Sequence, residues 1–196
     1  MFVATRPTSR AIDRFLRDSR TLPFSYQPTG LTQGVATGYD VDEMVLPIGR
    51  GAQDFDRAKA ALAAWKHFDI GWLQAIPSSP VPEAGTVVAV VIRHFGFWSL
   101  NGARVVYVVG DRQSTTRFGF AYGTLVNHAE AGEELFEVFV DPSTEDVMYR
   151  IRAASRPRSP LTYIGYPLVR MLQAACRRDS GLAMTREVSA RKAGTR

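Results

Sequence analysis

Cysteine is almost absent from this sequence: Cys176 stands alone among 196 residues, which excludes an internal disulfide. Histidine is scarce too, with only His67, His94 and His128, and no Cys/His set has the spacing of a structural zinc site. Such a chain suits a reducing compartment, and a cytoplasmic location is expected. Long apolar runs are missing, which argues against a membrane-spanning helix. Met1 to Arg20 carries Arg6, Arg10, Arg14, Arg17 and Arg20 around no continuous apolar stretch, unlike an export signal. Repeats, low-complexity tracts and an interdomain linker are also missing, so one domain is the default.

What is present is ordinary globular composition, 45% apolar and 22% charged, in a chain long enough to bury about 70% of its unfolded surface. The net charge of +5 and the pI near 9.7 raise the question of nucleic acid, because clustered Arg and Lys displace counterions from phosphate. The excess lies at the two ends, in the N-terminal arginines and in Arg186, Arg191, Lys192 and Arg196. That distribution reads as a solvated face and a basic tail, and a nucleic-acid partner is not favoured.

Hydrophobic spacing supplies the elements. A helix is expected from about Ser9 to Ser19, capped by Thr8 or Ser9, with Ile12, Phe15 and Leu16 on one stripe. Pro23, Pro28, Gly30, Gly34 and Gly38 then punctuate a connection anchored by Phe24 and Tyr26, a lid or a strap. A first strand is expected over Thr37 to Gly49 and a helix after Gly51, with Phe55, Ala58, Leu62 and Trp65 inward and Asp54 and Asp56 on its first turn. Six strands follow without intervening helices: Trp72 to Ile76, Thr86 to Phe95, Arg104 to Val109, Thr116 to Leu125, Glu133 to Val140 and Val147 to Ala154. Such a run implies an antiparallel meander. Ser159-Pro160 opens a last helix that Pro167 should kink and Gly181 should close. The division expected is 1–23 as a helical appendage, 24–185 as the domain and 186–196 as a tail.

Residues that could carry chemistry are few. Over Arg117 to Phe136, period two puts Phe118, Phe120 and Tyr122 on one strand face and small residues on the other. The following turn places His128 near Glu133, a pairing suited to general acid or base work, although a turn held by its own hydrogen bonds explains the same residues. A metal would need three or four convergent ligands, and no metal or cofactor is expected. Arg104 needs a carboxylate partner such as Glu133, Glu134 or Glu137. Arg156 meets an anionic ligand or caps a loop. His67 and His94 have no Ser or Cys nucleophile close in sequence. Cys176, beside an apolar stripe, reads as a small hydrophobe. Gly49-Arg50-Gly51 lacks the Lys-Ser/Thr ending of a phosphate loop.

The element order resembles the START-like, helix-grip domains, in which a curved sheet wraps the last helix around an internal cavity. The resemblance implies an α+β fold with a sheet of about seven antiparallel strands. Ile48-Gly-Arg-Gly51 with Phe55, Trp65 and Trp72, then Arg104-Val-Val-Tyr107, the Arg117 to Phe136 stretch and Ser155-Arg-Pro157 resemble the domain-of-unknown-function 1990 family of bacterial and plant proteins, over roughly Phe24 to Leu182. That family's pattern implies an arginine where this chain has Gln33.

Three functions stay open at this point. The first is a cavity for a small, largely apolar molecule, lined by Trp65, Tyr107, Phe118, Phe120 and Tyr122 with Arg104 and Arg156 as polar groups. The second is a cyclase, dehydratase or hydrolase-type enzyme using His128, Glu133 or Tyr122. The third is a basic interaction module for nucleic acid or an anionic membrane.

Overall fold

A computed structural model describes residues 2–94, 96–111, 113–157 and 166–190. Among these, the strands are β1 (Phe2–Val3), β2 (Asp40–Arg50), β3 (Leu73–Pro77), β4 (Val87–Arg93), β5 (Trp98–Val109), β6 (Arg117–Thr124), β7 (Glu130–Val140) and β8 (Asp146–Pro157). The helices are α1 (Ser9–Ser19), α2 (Gly51–Ala63) and α3 (Tyr166–Ala190). The strands form one antiparallel sheet in the order β2-β8-β7-β6-β5-β4-β3, with the short β1 beside β5. Strand β2 thus pairs with the last strand, β8, while α2 connects β2 to β3 at the opposite edge of the sheet.

This is the expected α+β helix-grip architecture, with strand ends that differ by a few residues. The largest difference is β5, which starts at Trp98 rather than Arg104. A bulge between Val105 and Tyr107 interrupts its register with β6. Val105 faces the helices, and the extra residue turns Tyr107 to the other side, where it pairs with Ala121.

The inner face of the sheet carries α2 and α3. Phe55, Phe120, Phe136 and Tyr149 are buried to 1% exposure or less in that layer, and truncating any one of them costs about 3–5 kcal/mol. Helix α2 begins at Gly51, whose φ of +75° favours glycine. Asp54 accepts from the Arg50 backbone N–H at 2.9 Å and pairs with Arg57 at 3.1 Å, so its charge serves the helix start directly. Trp65 lies just beyond α2, with a φ of +60°.

The outer face is covered as well. Ile12 and Leu16 of α1 pack on Val87, Ala89, Val91 and Leu100. Thr8 caps α1 by accepting from the Ala11 N–H at 3.3 Å. The connection after α1 runs across the outer face as a strap, with Tyr26, Leu31 and Ala36 against Ala131 and Ala154.

One expectation about the last helix changes. Gly181 does not close it, since α3 runs to Ala190. A Cβ at Gly181 would meet Leu46 and Met44 at 3.2–3.4 Å, so the glycine lets the helix approach β2. The expected start at Ser159-Pro160 lies outside the described residues.

Candidate functional site

Tyr122 on β6 and Glu134 on β7 face each other across the sheet, and the phenol hydroxyl donates to Glu134 Oε2 at 3.0 Å. Both side chains lie on the inner face, because they share the even register with Phe120 and Phe136, which pack in the helix-facing core. Glu134 is half-buried, deep under α3 yet reached by solvent. Burial pushes its carboxyl up to about 7, against the opposing pull of the Tyr122 hydrogen bond and the Arg177 charge. The same burial, reinforced by Glu134, raises the Tyr122 phenol and the half-buried Cys176 thiol.

A polar rim surrounds this pair. Gln173 of α3 donates from Nε2 to Glu130 Oε1 at 2.8 Å and to Ser155 Oγ at 3.1 Å, tying the helix to β7 and β8. Burial also raises the Glu130 carboxyl. Asp42 of β2 is bound by both nitrogens of the Arg170 fork, with Arg177 at 3.4 Å, and the Arg170 hydrogen bond holds its carboxyl below the usual range. Further along, Tyr149 and Ser180 share a hydrogen bond of 2.8 Å, and Trp72 donates to Asp179 at 3.0 Å. Helix α3 is therefore fixed to the sheet by polar contacts at its first described turns and by apolar packing at its end.

The expected ligand wall divides accordingly. Phe118 and Phe120 face inward, but Phe120, with no exposed surface, packs on Trp65 with ring centres 4.6 Å apart. His67 sits in the same cluster, 4.1 Å from Phe68 and 4.5 Å from Phe136. Neither ring nitrogen of His67 has a hydrogen-bond partner among the described residues, and burial lowers its pKa to about 3. This half of the inner face is filled by rings. Tyr122 belongs to the same ring cluster, 5.4 Å from Phe136, and is the member of the expected wall whose polar atom meets the half-buried Glu134.

The remaining expected site residues lie elsewhere. Glu133 points to the outer face, the consequence of period two beside the inward Glu134. Its carboxylate accepts from Tyr26 Oη at 2.7 Å, Gly30 N at 2.8 Å, Thr32 N at 3.2 Å and Thr32 Oγ1 at 2.7 Å. Its role there is to hold the strap. Tyr107 shares a hydrogen bond of 2.7 Å with Thr32 on that same face. His128 Nδ1 accepts from the Glu130 N–H at 3.0 Å, so it shapes the turn and is not brought to Glu133.

Arg104 does not pair with Glu133, Glu134 or Glu137. Its Nη2 donates to the carbonyls of Ser19, Arg20 and Leu22 at 2.7–3.0 Å, at the negative end of α1. Glu137 is paired instead with Arg117. Arg156 stacks over Tyr39 at 4.7 Å, also on the outer face. Against expectation, His94 does have a serine close in sequence: Ser99 stands five residues on, with its Oγ 2.8 Å from the His94 Nε2. Ser99 is only 3% exposed and also takes a hydrogen bond from Asn101 at 2.9 Å, which makes the contact structural.

Sequence reasoning missed Glu134, Gln173 and Ser155. The available signal was parity: on a strand whose Phe136 and Val138 face in, Glu134 must face in and Glu133 out.

Among solved structures, the chain is similar to Ara h 8.0201, with a TM-score of 0.51 and 13% identity over 78% of this chain and 99% of that one. It is also similar to the di-domain ARO/CYC StfQ from the steffimycin biosynthetic pathway, with a TM-score of 0.53 and 12% identity over 80% of this chain and 52% of that one. At such identities the likeness establishes the helix-grip fold alone. Relatives close in sequence carry the name UPF0548 protein. One from Dictyostelium discoideum is 33% identical, covering 88% of this chain and 89% of that protein. One from Arabidopsis thaliana is 33% identical, covering 78% and 75%. The model of the domain of unknown function DUF1990 matches residues 25–183, from the outer strap through β2 and α2 to the Gly181 approach. With the strap, the meander and most of the gripped helix inside that match, the chain belongs to the DUF1990 family.

Proposed function

We propose that this protein binds a small, largely apolar molecule between the inner face of the sheet and α3, with the molecule's polar end at Tyr122 and Glu134. The observation that carries the reading is a carboxyl deep in the fold that is still reached by solvent, beside a phenol, at the edge of an aromatic floor. A buried ionisable group without a full set of partners is costly, so its persistence in a folded interior points to use. Apolar walls with a few convergent polar groups are what small-molecule sites are made of.

Native mass spectrometry of the purified protein tests this, with Ala153→Trp as comparison. Ala153 lies opposite Glu134 on the neighbouring strand, so an indole there fills the space. The reading expects a retained small molecule, or uptake of the apolar dye Nile red, in the wild type and neither in the variant. Absence of both in the wild type contradicts it.

The same pair favours a second reading, an enzyme that moves a proton. A carboxyl titrating near 7 both gives and takes protons at neutral pH. Incubating a captured molecule with the wild type and with Glu134→Gln separates the two readings, since chemical change only with the wild type marks turnover.

A further inference from the structure

The geometry around Glu134 specifies what the polar end of such a ligand is, resting on the binding reading above. Oε2 already accepts from the Tyr122 hydroxyl at 3.0 Å, while Oε1 has no hydrogen-bond partner among the described residues. When Glu134 is neutral, its proton therefore sits on Oε1, the oxygen not already holding a phenol hydrogen, and a single O–H is left to be donated.

The groups facing Glu134 come from every element around it. They are Glu130 on its own strand, Tyr122 on β6, Asp42 on β2, Tyr149 on β8, and Cys176 and Arg177 on α3. The cations are committed, because Arg170 and Arg177 both hold Asp42 and Arg170 also donates to Gln173 at 3.1 Å. An anionic head group entering here would meet two carboxyls, Glu130 and Glu134, and the two arginines within reach of them, Arg170 and Arg177, are already engaged by Asp42. Both carboxyls are held toward their neutral forms by burial, which fits a site whose occupant brings no charge.

We infer that the bound molecule carries a neutral hydrogen-bond-accepting oxygen, a ketone, ester or amide carbonyl, that accepts a hydrogen bond from the protonated Oε1 of Glu134, and that the site rejects carboxylates and other anions. Release follows from the same atom. Once Glu134 ionises, the donor is gone and a carboxylate oxygen opposes the carbonyl oxygen. Binding is therefore strong below neutrality and falls about tenfold per pH unit above it.

Fluorescence titration with two probes tests this on the intact chain: Nile red, neutral and carbonyl-bearing, and the anionic 8-anilinonaphthalene-1-sulfonate. The expected result is Nile red binding at about pH 6 that weakens about 100-fold by about pH 9, with the sulfonate bound poorly at both. Glu134→Gln, whose amide donates at every pH, should keep Nile red binding and lose its pH dependence. Tyr122→Phe removes the hydroxyl that favours the ionised form and should move the midpoint to higher pH. Flat Nile red binding in the wild type, or tighter binding of the sulfonate, overturns this inference and leaves the cavity reading standing. Binding of neither probe at either pH overturns both.

Discussion

The Tyr122 hydroxyl and the Glu134 carboxylate meet at 3.0 Å because their residues are direct partners in the β6–β7 register, both turned toward α3. The contact couples the fold to the chemistry. The strand pairing that places Glu134 also places the phenol that fixes which of its oxygens is left open.

The first prediction concerns alkaline pH. The Glu134 carboxyl is raised in the folded protein from 4.5 to about 7, so the folded state holds a proton that the unfolded state has released. Stability therefore falls as pH rises through that window, by about 1.4 kcal/mol per pH unit, and the full penalty of about 3 kcal/mol applies above it. Urea denaturation of Glu134→Gln should show the variant gaining on the wild type from about pH 5 to pH 8. Equal slopes in the two proteins would contradict the assignment.

Acid pH acts through His67. Its imidazole is buried without a hydrogen-bond partner among the described residues and lowered from 6.5 to about 3, so the unfolded state takes up a proton that the folded state refuses. Stability is lost as pH falls below the unfolded value, again by about 1.4 kcal/mol per pH unit. His67→Leu should be stabilised by about 1–3 kcal/mol at neutral pH and should lose most of that acid sensitivity. Denaturation at about pH 7 and pH 4.5 checks both.

Glu133→Ala should free the strap. Its carboxylate satisfies Tyr26, Gly30 and Thr32 together, and removing a buried charged acceptor costs about 3 kcal/mol. Faster amide exchange at Gly30 and Thr32, with Nile red binding unchanged, is the expected outcome. Loss of binding with the strap still protected would return Glu133 to the candidate site.

Arg104→Ala should loosen α1. One guanidinium nitrogen donates to three carbonyls at the end of that helix, so the variant should expose α1 amides to exchange at a cost of about 2 kcal/mol. Protection in β7 and β8 should stay as in the wild type.

The meander and the terminal helix were legible because alternation and helical spacing are local properties of the chain. The β5 bulge was not, since one extra residue is decided by the β6 partner, and without it Tyr107 falls on the wrong face. Gly181 misled for the opposite reason. It carries a stop signal in isolation, whereas here it answers to Leu46 and Met44 on a strand far away in sequence. Tyr122 was legible as an inward aromatic. Its partner was not, because two adjacent glutamates look equivalent until the register sends Glu134 in and Glu133 out.

A carbon-13 NMR titration of the Glu134 carboxyl, free and with Nile red bound, is the most direct measurement of the site. The account predicts a titration at about 7 in the free protein and a shift upward when the protonated carboxyl donates a hydrogen bond to the dye's carbonyl. A carboxyl that titrates near its ordinary value of 4.5 and ignores the dye would contradict it.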